Sequence, residues 1–445
     1  MMRSLSRRDR WRRLVGRLLT LIVLVAVAYL LVLVPAQAET AASTTLRLGF
    51  LLLASYVAGQ VARGLALPQI TGYLVLGVLI GPDLLGILTQ ASVMRLRVID
   101  EVALSLIALS AGGELRLASV KKRMRSIGMI TLAQLVIVFV LVAAVVFMER
   151  DLFDFLRGQE PRVALAVALL FGLVAVAKSP ATTIAVITEE KARGPVTDVV
   201  LGITVIKDVL ILVLTALMIP LAAVIARPER AFDLTALEQV LLTILASLAV
   251  GVLFGWIIAR ALRRVEGVGG VLLILAAAFL SVQLSETVGL EYILLSMAAG
   301  FVVQNYSEEG PGMIAALEAN SLPIFALFFA LAGAEVDLQA LGLAWKIAAV
   351  VLLARLVALW AATYVGARLA HSEAAIRRRA WTGFVAMAGV SLGIAHLIRD
   401  RFPELGASMA TIIIALIAVN QLLGPPLFRY ALVRSGESGG ASGGD

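Results

Sequence analysis

From Leu46 to Val433 the sequence is a succession of apolar runs, and no other feature limits the fold as much. They lie at Leu46–Ala66, Ile70–Leu88, Val98–Leu117, Ile127–Met148, Val163–Thr188, Val196–Ala226, Leu237–Leu262, Val268–Val288, Tyr292–Gln304, Met313–Leu338, Leu343–Leu369, Ala380–Ile398 and Leu405–Val433. That makes about 13 candidate membrane spans, some short or interrupted by Gly and Pro. With no water to satisfy backbone polar groups, runs of this kind cross a bilayer as helices. A chain that is 61% hydrophobic and only 15% charged is therefore an all-α polytopic membrane protein.

The formal charge of +8 does not point to nucleic acid, because the basic residues sit in short loops between apolar runs. Arg116, Lys121, Lys122, Arg123, Arg125, Arg260, Arg263, Arg264, Arg368, Arg377, Arg378 and Arg379 fall on one side, whereas the loops Glu149–Arg162 and Arg227–Glu238 mix acids and bases. The basic side is expected to be cytoplasmic, with the protein in the cell's inner (plasma) membrane and its C-terminus inside. There is no cysteine, which excludes thiolate chemistry, and the two histidines, His371 and His396, read as a solvated loop residue and an interfacial one. No cofactor motif is present. Residues 1–38 are either a signal peptide or an extra helix: Arg3–Arg17 is basic, Leu18–Val34 is apolar, and Pro35–Ala38 resembles a cleavage site. Residues 46–433 form the transmembrane domain, and the Gly/Ser-rich residues 434–445 read as a flexible cytoplasmic tail.

Charge inside the apolar runs is expensive and marks a partner, a pathway or a substrate. It gathers between Ala175 and Val213, where Lys178 precedes Ser179-Pro180 and Lys207 precedes Asp208. Pro180 lies inside a span, where it removes a backbone bond and frees carbonyls. An aspartate at Asp208 is a hard oxygen ligand for an alkali cation and can take a proton instead, so it is either the exchanging group or one end of a permanent salt bridge with Lys207 or Arg355. Lys207 is a second proton carrier, a built-in cation competing for Asp208, or a tether to Glu335 or another acid. Lys178 either neutralises a helix C-terminus at the break or takes part in transport. Ser179 and Thr182 supply oxygens to an ion or cap broken backbone. Glu335 and Arg355 read as a supporting charge pair between neighbouring spans.

Internal similarity adds a second constraint. Ala111-Gly112-Gly113-Glu114-Leu115-Arg116-Leu117 matches Ala332-Gly333-Ala334-Glu335-Val336-Asp337-Leu338, and AVAKSPATTIAVI from Ala175 matches AMAGVSLGIAHLI from Ala386. Ile206-Lys207-Asp208 then falls opposite Val419-Asn420-Gln421. Each pair lies an odd number of spans apart, so two copies, at about residues 70–226 and 290–433, cross in opposite directions. Such inverted repeats place a transport site where they meet. Chance matching among small apolar residues is the competing reading. The second copy's helix break falls at Gly389 and Ser391.

In these motifs the chain resembles the monovalent cation:proton antiporter superfamily, in particular the branch of the Kef-type potassium and Nap-type sodium antiporters. LPQITGYLVLGVLIGP at Leu67–Pro82 looks like that branch's early helix, SPATT at Ser179–Thr183 its first broken helix, and GITVIKD its ion-site helix; Arg355 in LLARLVALW takes the place of the family's basic residue. The resemblance implies an inverted-repeat fold with two broken, crossing helices, a homodimer, elevator-type alternating access, and Asp208 holding protons or a monovalent cation by turns. Lys207 stands where the family usually has Asp, Asn or Gln, and Lys178 where it usually has a small or hydroxylated residue. The added positive charge makes a proton-coupled transporter of an anion or organic solute the alternative on the same fold. An integral-membrane enzyme would need acidic or His/metal motifs in the loops, and these are missing.

Overall fold

The computed structural model describes residues 7–33, 41–227, 235–265, 268–387, 389–402 and 404–439. It is helical throughout. In chain order the helices are α1 (Arg7–Leu33), α2 (Ala41–Gly64), α3 (Gln69–Ile80), α4 (Gln90–Glu114), α5 (Leu117–Ala133), α6 (Phe139–Met148), α7 (Pro161–Val176), α8 (Pro180–Glu190), α9 (Pro195–Ala226), α10 (Thr235–Leu262), α11 (Val268–Val288), α12 (Tyr292–Tyr306), α13 (Gly310–Ala334), α14 (Leu338–Leu369), α15 (Ala374–Arg379), α16 (Gly389–Arg401) and α17 (Gly406–Ser435). A π-helical turn, Gln134–Val138, joins α5 to α6 within one span, and a 3-10 turn, Ala380–Phe384, follows α15.

The expected apolar segments fall largely on helix, with shifted ends and with interruptions inside Val163–Thr188 and Ala380–Ile398. Among the described residues, seven spans are long and apolar enough to cross a membrane by themselves, and a bent pair within α13 makes up to eight. The shorter α3 and α12 do not reach that length. The helix α3 stops at Ile80 rather than Leu88 because Gly81-Pro82 follows it, and proline disfavours helical backbone in the residue before it. The helix α4 starts eight residues before the apolar run, because the Thr89 side chain accepts from the Ser92 N–H (3.2 Å) and caps a first turn that hydropathy does not reveal. Prolines 161, 180 and 195 each occupy the first turn of a helix, where no N–H is needed.

Two groups of helices emerge from the packing. In one, α2, α3, α4, α11, α12 and α13 pack together, with α1 against α2; in the other, α5–α6, α7–α8, α9, α14, α16 and α17 do. The helix α10 packs on α12 in the first and α9 in the second. In the first group two tight crossings repeat each other. A side chain at Gly77 (α3) would strike the Ala330 carbonyl, and one at Gly333 (α13) the Leu74 carbonyl. Likewise Gly300 (α12) faces the Leu109 carbonyl and Gly112 (α4) the Met297 carbonyl. Only glycine lets the backbones approach this closely.

Candidate functional site

The site lies in the second group, where two interrupted helices cross. The first interruption, Ala177-Lys178-Ser179, separates α7 from α8, so Pro180 opens the second half-helix rather than kinking a continuous one. The second is centred on Val385-Ala386-Met387, and this corrects the expected break at Gly389 and Ser391. Gly389 is the first residue of α16 and Ser391 lies buried inside it. The Ser179 N–H donates to the Ala386 carbonyl (2.8 Å), and backbone is thus tied to backbone at the crossing. Gly424 of α17 comes close enough to Ala386 that any side chain there would collide with it.

Arg355 of α14, 1% exposed, serves both interruptions at once. Its Nε donates to the Ala175 carbonyl (2.9 Å) and its Nη2 to Ala177 (2.9 Å) and Phe384 (3.0 Å). Its Nη1 donates to the Val385 carbonyl (2.7 Å) and to Asn420 Oδ1 (2.6 Å). The carbonyls freed at the C-terminal ends of α7 and of the 380–384 turn carry partial negative charge, and a guanidinium there is stabilised by both. Glu335 has no part in this. It is exposed at the end of α13, and Arg355 lies 17 residues into α14, about 26 Å further along the helix axis, so the expected charge pair does not form.

Lys207 and Asp208 point different ways because successive helical residues diverge by about 100°. Lys207 Nζ donates to Gln134 Oε1 (2.9 Å) in the π turn and lies 5.6 Å from the centroid of the Phe384 ring. Its partner is therefore a neutral amide rather than Glu335 or another acid, the tether that was one of the alternatives for it. Gln134, fully buried, in turn donates from Nε2 to Thr363 Oγ1 of α14 (2.8 Å). Asp208 is buried, its Oδ2 has no partner, and it forms no salt bridge with Lys207 or Arg355. Lys178 is buried with its ammonium unpartnered, and it and Asp208 feel each other's charge without closing an ion pair. The helix C-terminus at the break, which Lys178 would neutralise in one of its two readings, is held by Arg355. Ser179 Oγ accepts from the Thr182 N–H (3.1 Å) and Thr182 hydroxyl (2.9 Å), so both residues are engaged in capping α8.

The structure thus brings Lys178, Ser179, Pro180, Thr182, Lys207, Asp208 and Arg355 together and leaves Glu335 out. Three residues that sequence reasoning passed over join them. Gln134 and Thr363 are uncharged and do not stand out in apolar runs, although a buried amide at a π turn is a recognisable mark of function. Glu291, half-buried ahead of α12 with its N–H donating to Ser247 Oγ (2.9 Å), is within electrostatic reach of Asp208 from the first helix group. An acid between two apolar runs was the available signal. The tail also differs from expectation. Its described part is fixed: buried Glu437 accepts from the Val196 N–H (2.8 Å), Thr197 N–H (2.8 Å) and Thr197 hydroxyl (2.7 Å), capping α9; residues 440–445 lie outside the described residues.

The fold and this crossing define a multi-pass membrane transporter rather than an enzyme. The chain belongs to the sodium/hydrogen exchanger family, whose transmembrane model matches residues 48–429. It is similar in fold to two structures of the sodium proton antiporter MjNhaP1 from Methanocaldococcus jannaschii. One, determined at pH 8, has 17% sequence identity and a TM-score of 0.63, covering 88% of this chain and 98% of that one. The other, from electron microscopy, has 18% identity and a TM-score of 0.69, covering 89% and 98%. No curated protein matches the chain by sequence.

Proposed function

We propose that this protein exchanges a monovalent cation, Na⁺ or K⁺, for protons, as a member of the Kef- and Nap-type branch, with Asp208 as the carrier. The observation that carries the reading is the buried Asp208 carboxylate, which keeps an unpartnered oxygen beside two crossing helix interruptions while Arg355 and Lys207 are occupied elsewhere. A carboxylate in that setting holds one cation or one proton at a time, which is the basis of exchange. Ser179 and Thr182 support the geometry of the break, and Lys178 is the cation that Asp208 meets when no substrate ion is bound.

The inverted-repeat arrangement is supported by the paired glycine crossings, since exchanging α3 with α12 and α4 with α13 turns one crossing into the other. Elevator-type movement of the second helix group against the first is supported by where they touch. At the basic end α8 packs on α3 and α4, the Gln69 N–H donates to Glu189 (2.7 Å), and Arg429 bonds both Glu190 (2.6 Å) and the Ala66 carbonyl. At the other end α16 packs on α7, α9 and α17 of its own group. We take the basic end as cytoplasmic, α1 as a retained helix held to α2 by Arg17 and the Gln60 carbonyl (3.1 Å), and the first group as the homodimer contact.

The test is a proteoliposome assay with an internal pH dye, challenged with each alkali salt in turn. Proton movement driven by Na⁺ or K⁺ and lost in Asp208→Asn is the expected result; an Asp208→Asn protein that still exchanges moves the carrier elsewhere. The second reading, transport of an anion or organic solute with protons, is favoured by one feature: three buried cations share a field with a single buried carboxylate. Proton movement driven by an anion, with none driven by alkali cations, selects it.

A further inference from the structure

Asp208 stands next to a lysine in sequence and yet has no lysine bonded to it. The reason lies in a chain of buried polar contacts that runs away from the site: Lys207 Nζ to Gln134 Oε1 at 2.9 Å, then Gln134 Nε2 to Thr363 Oγ1 at 2.8 Å. Each member is at most 2% exposed. An amide offers an oxygen at one end and two donors at the other, and only the oxygen can receive an ammonium. Thr363 takes a donor and so turns the oxygen toward Lys207. The backbone places it as well: the span opens into a π turn at Gln134, between the α-helical segments α5 and α6. The Phe384 face adds a second attraction on the same side.

We propose that Gln134, oriented by Thr363, is a positioning residue that holds Lys207 away from Asp208 and thereby sets the affinity of the carrier for its cation. This rests on Asp208 being the carrier. Without Gln134 the Lys207 ammonium would be a buried charge with no acceptor, and Asp208, the next residue on α9, is an acid whose charge reaches it. An ammonium on that carboxylate is a competitor present at every turnover, so a higher cation concentration is needed to displace it. Maximal rate, reached once the cation has won, is affected less.

The repeat gives an independent argument. Carrying the match of Leu117 with Leu338 forward without gaps sets Gln134 opposite Arg355, while Lys207 falls opposite Asn420. In one half the ninth helix supplies the cation and the α5–α6 span the amide; in the other the cation is on α14 and the amide on α17, with Arg355 Nη1 donating to Asn420 Oδ1 at 2.6 Å. A cation bonded to an amide thus occurs at both equivalent places, and Gln134 is a member of a paired device rather than a stray polar residue.

The experiment uses the full chain in proteoliposomes, reading the half-saturating Na⁺ or K⁺ concentration separately from maximal rate. Gln134→Leu should raise the former about tenfold while keeping most of the latter. Gln134→Glu, which keeps an acceptor for Lys207, should stay within about threefold of the parent. Lys207→Met added to Gln134→Leu should return the half-saturating concentration to that of Lys207→Met alone. A purely structural role would lower the yield of folded protein and leave the half-saturating concentration unmoved. An unchanged half-saturating concentration in Gln134→Leu overturns the proposal, and so does a rise that persists when Lys207 is Met. If Gln134→Leu cannot be purified, Gln134→Glu decides: a tenfold rise in it is equally fatal. Asp208→Asn in the same vesicles separates the two readings, because residual exchange there removes the carrier assignment, whereas its loss with an unaffected Gln134→Leu removes only the positioning role.

Discussion

Lys207 and Arg355 are both buried cations bonded to an amide, and they do opposite kinds of work. Arg355 has five donors in a planar fork, and four of its bonds reach backbone carbonyls of the two helix interruptions, with the fifth on Asn420. It joins elements that no continuous helix could hold together. Lys207 is a point charge with one amide and one aromatic face, and it holds nothing else in place. The neighbours differ correspondingly: Asp208 follows Lys207, whereas Gln421, buried and with an unpartnered Nε2, follows Asn420. The cation bonded to Asn420 thus sits among backbone carbonyls, and the one bonded to Gln134 sits beside a buried carboxylate with a free oxygen.

The largest effect should come from removing the architectural cation. Arg355→Ala leaves the carbonyls of Ala175, Ala177, Phe384 and Val385 and the Asn420 oxygen without a donor in the core, and should cost about 3–5 kcal/mol, seen as loss of the folded protein or a steep drop in melting temperature in detergent. Arg355→Lys should recover little, since one ammonium cannot span both interruptions. A protein that melts like the parent with either substitution would erase the contrast with Lys207. The effect should be far smaller at Lys178. Its ammonium is buried with no bond, which favours its removal, but its charge also compensates the buried Asp208 carboxylate. Lys178→Met should therefore melt within about 1 kcal/mol of the parent while impairing exchange, and a loss as large as that of Arg355→Ala would show that the lysine is structural after all.

This contrast also explains how much could be read from the sequence. Charges in apolar runs announce themselves, so Lys178, Lys207, Asp208 and Arg355 were visible as a group, and Pro180 fixed the first interruption to within a residue. Their partners were not visible, because hydrogen bonds across helices depend on depth and rotation that spacing does not carry. Glu335 was paired with Arg355 through proximity of spans, yet the two are separated by 17 residues of helix. Gln134 and Thr363 carry no charge, and the second interruption has no proline; backbone carbonyls drawn to Arg355 hold Val385 and Phe384, and a pattern of side chains cannot report that. Glu437 sat in a Gly/Ser-rich stretch whose composition reads as flexible, where one buried carboxylate decides otherwise.

That carboxylate sharpens the comparison at α9. Gly194, at φ 151°, leads into α9 with no side-chain cap of its own, and Glu437 fills the role from the far end of the chain. Glu437→Ala should cost about 1–2 kcal/mol, the range of a lost N-cap, and Glu437→Gln less, since one oxygen remains to accept. Truncation after Gly439 should have no effect on melting, and truncation after Gly436 should cost more than Glu437→Ala, because it also removes the bonds of Ser438 and the Gly439 N–H to Glu190 and of the Arg193 N–H to the Glu437 carbonyl. Equal melting of all three truncated and full-length proteins would return the tail to a passive role.

The smallest effect distinguishes the two half-helices that follow the interruptions. At α8 the Ser179 hydroxyl accepts from the Thr182 N–H and the Thr182 hydroxyl, and so caps the helix from its own side chain. At α16 the hydroxyl near the interruption, Ser391, lies inside the helix, fully buried and without a hydrogen-bond partner. Ser179→Ala should therefore lower stability by about 1 kcal/mol, the usual loss for an N-cap, and Ser391→Ala should be close to neutral or slightly stabilising, since it removes an unsatisfied hydroxyl. Melting both proteins side by side makes the difference, rather than either value, the test. If Ser391→Ala is as costly as Ser179→Ala, the second hydroxyl has a partner in the working cycle that this conformation does not form, and the two interruptions are chemically closer than their geometry indicates.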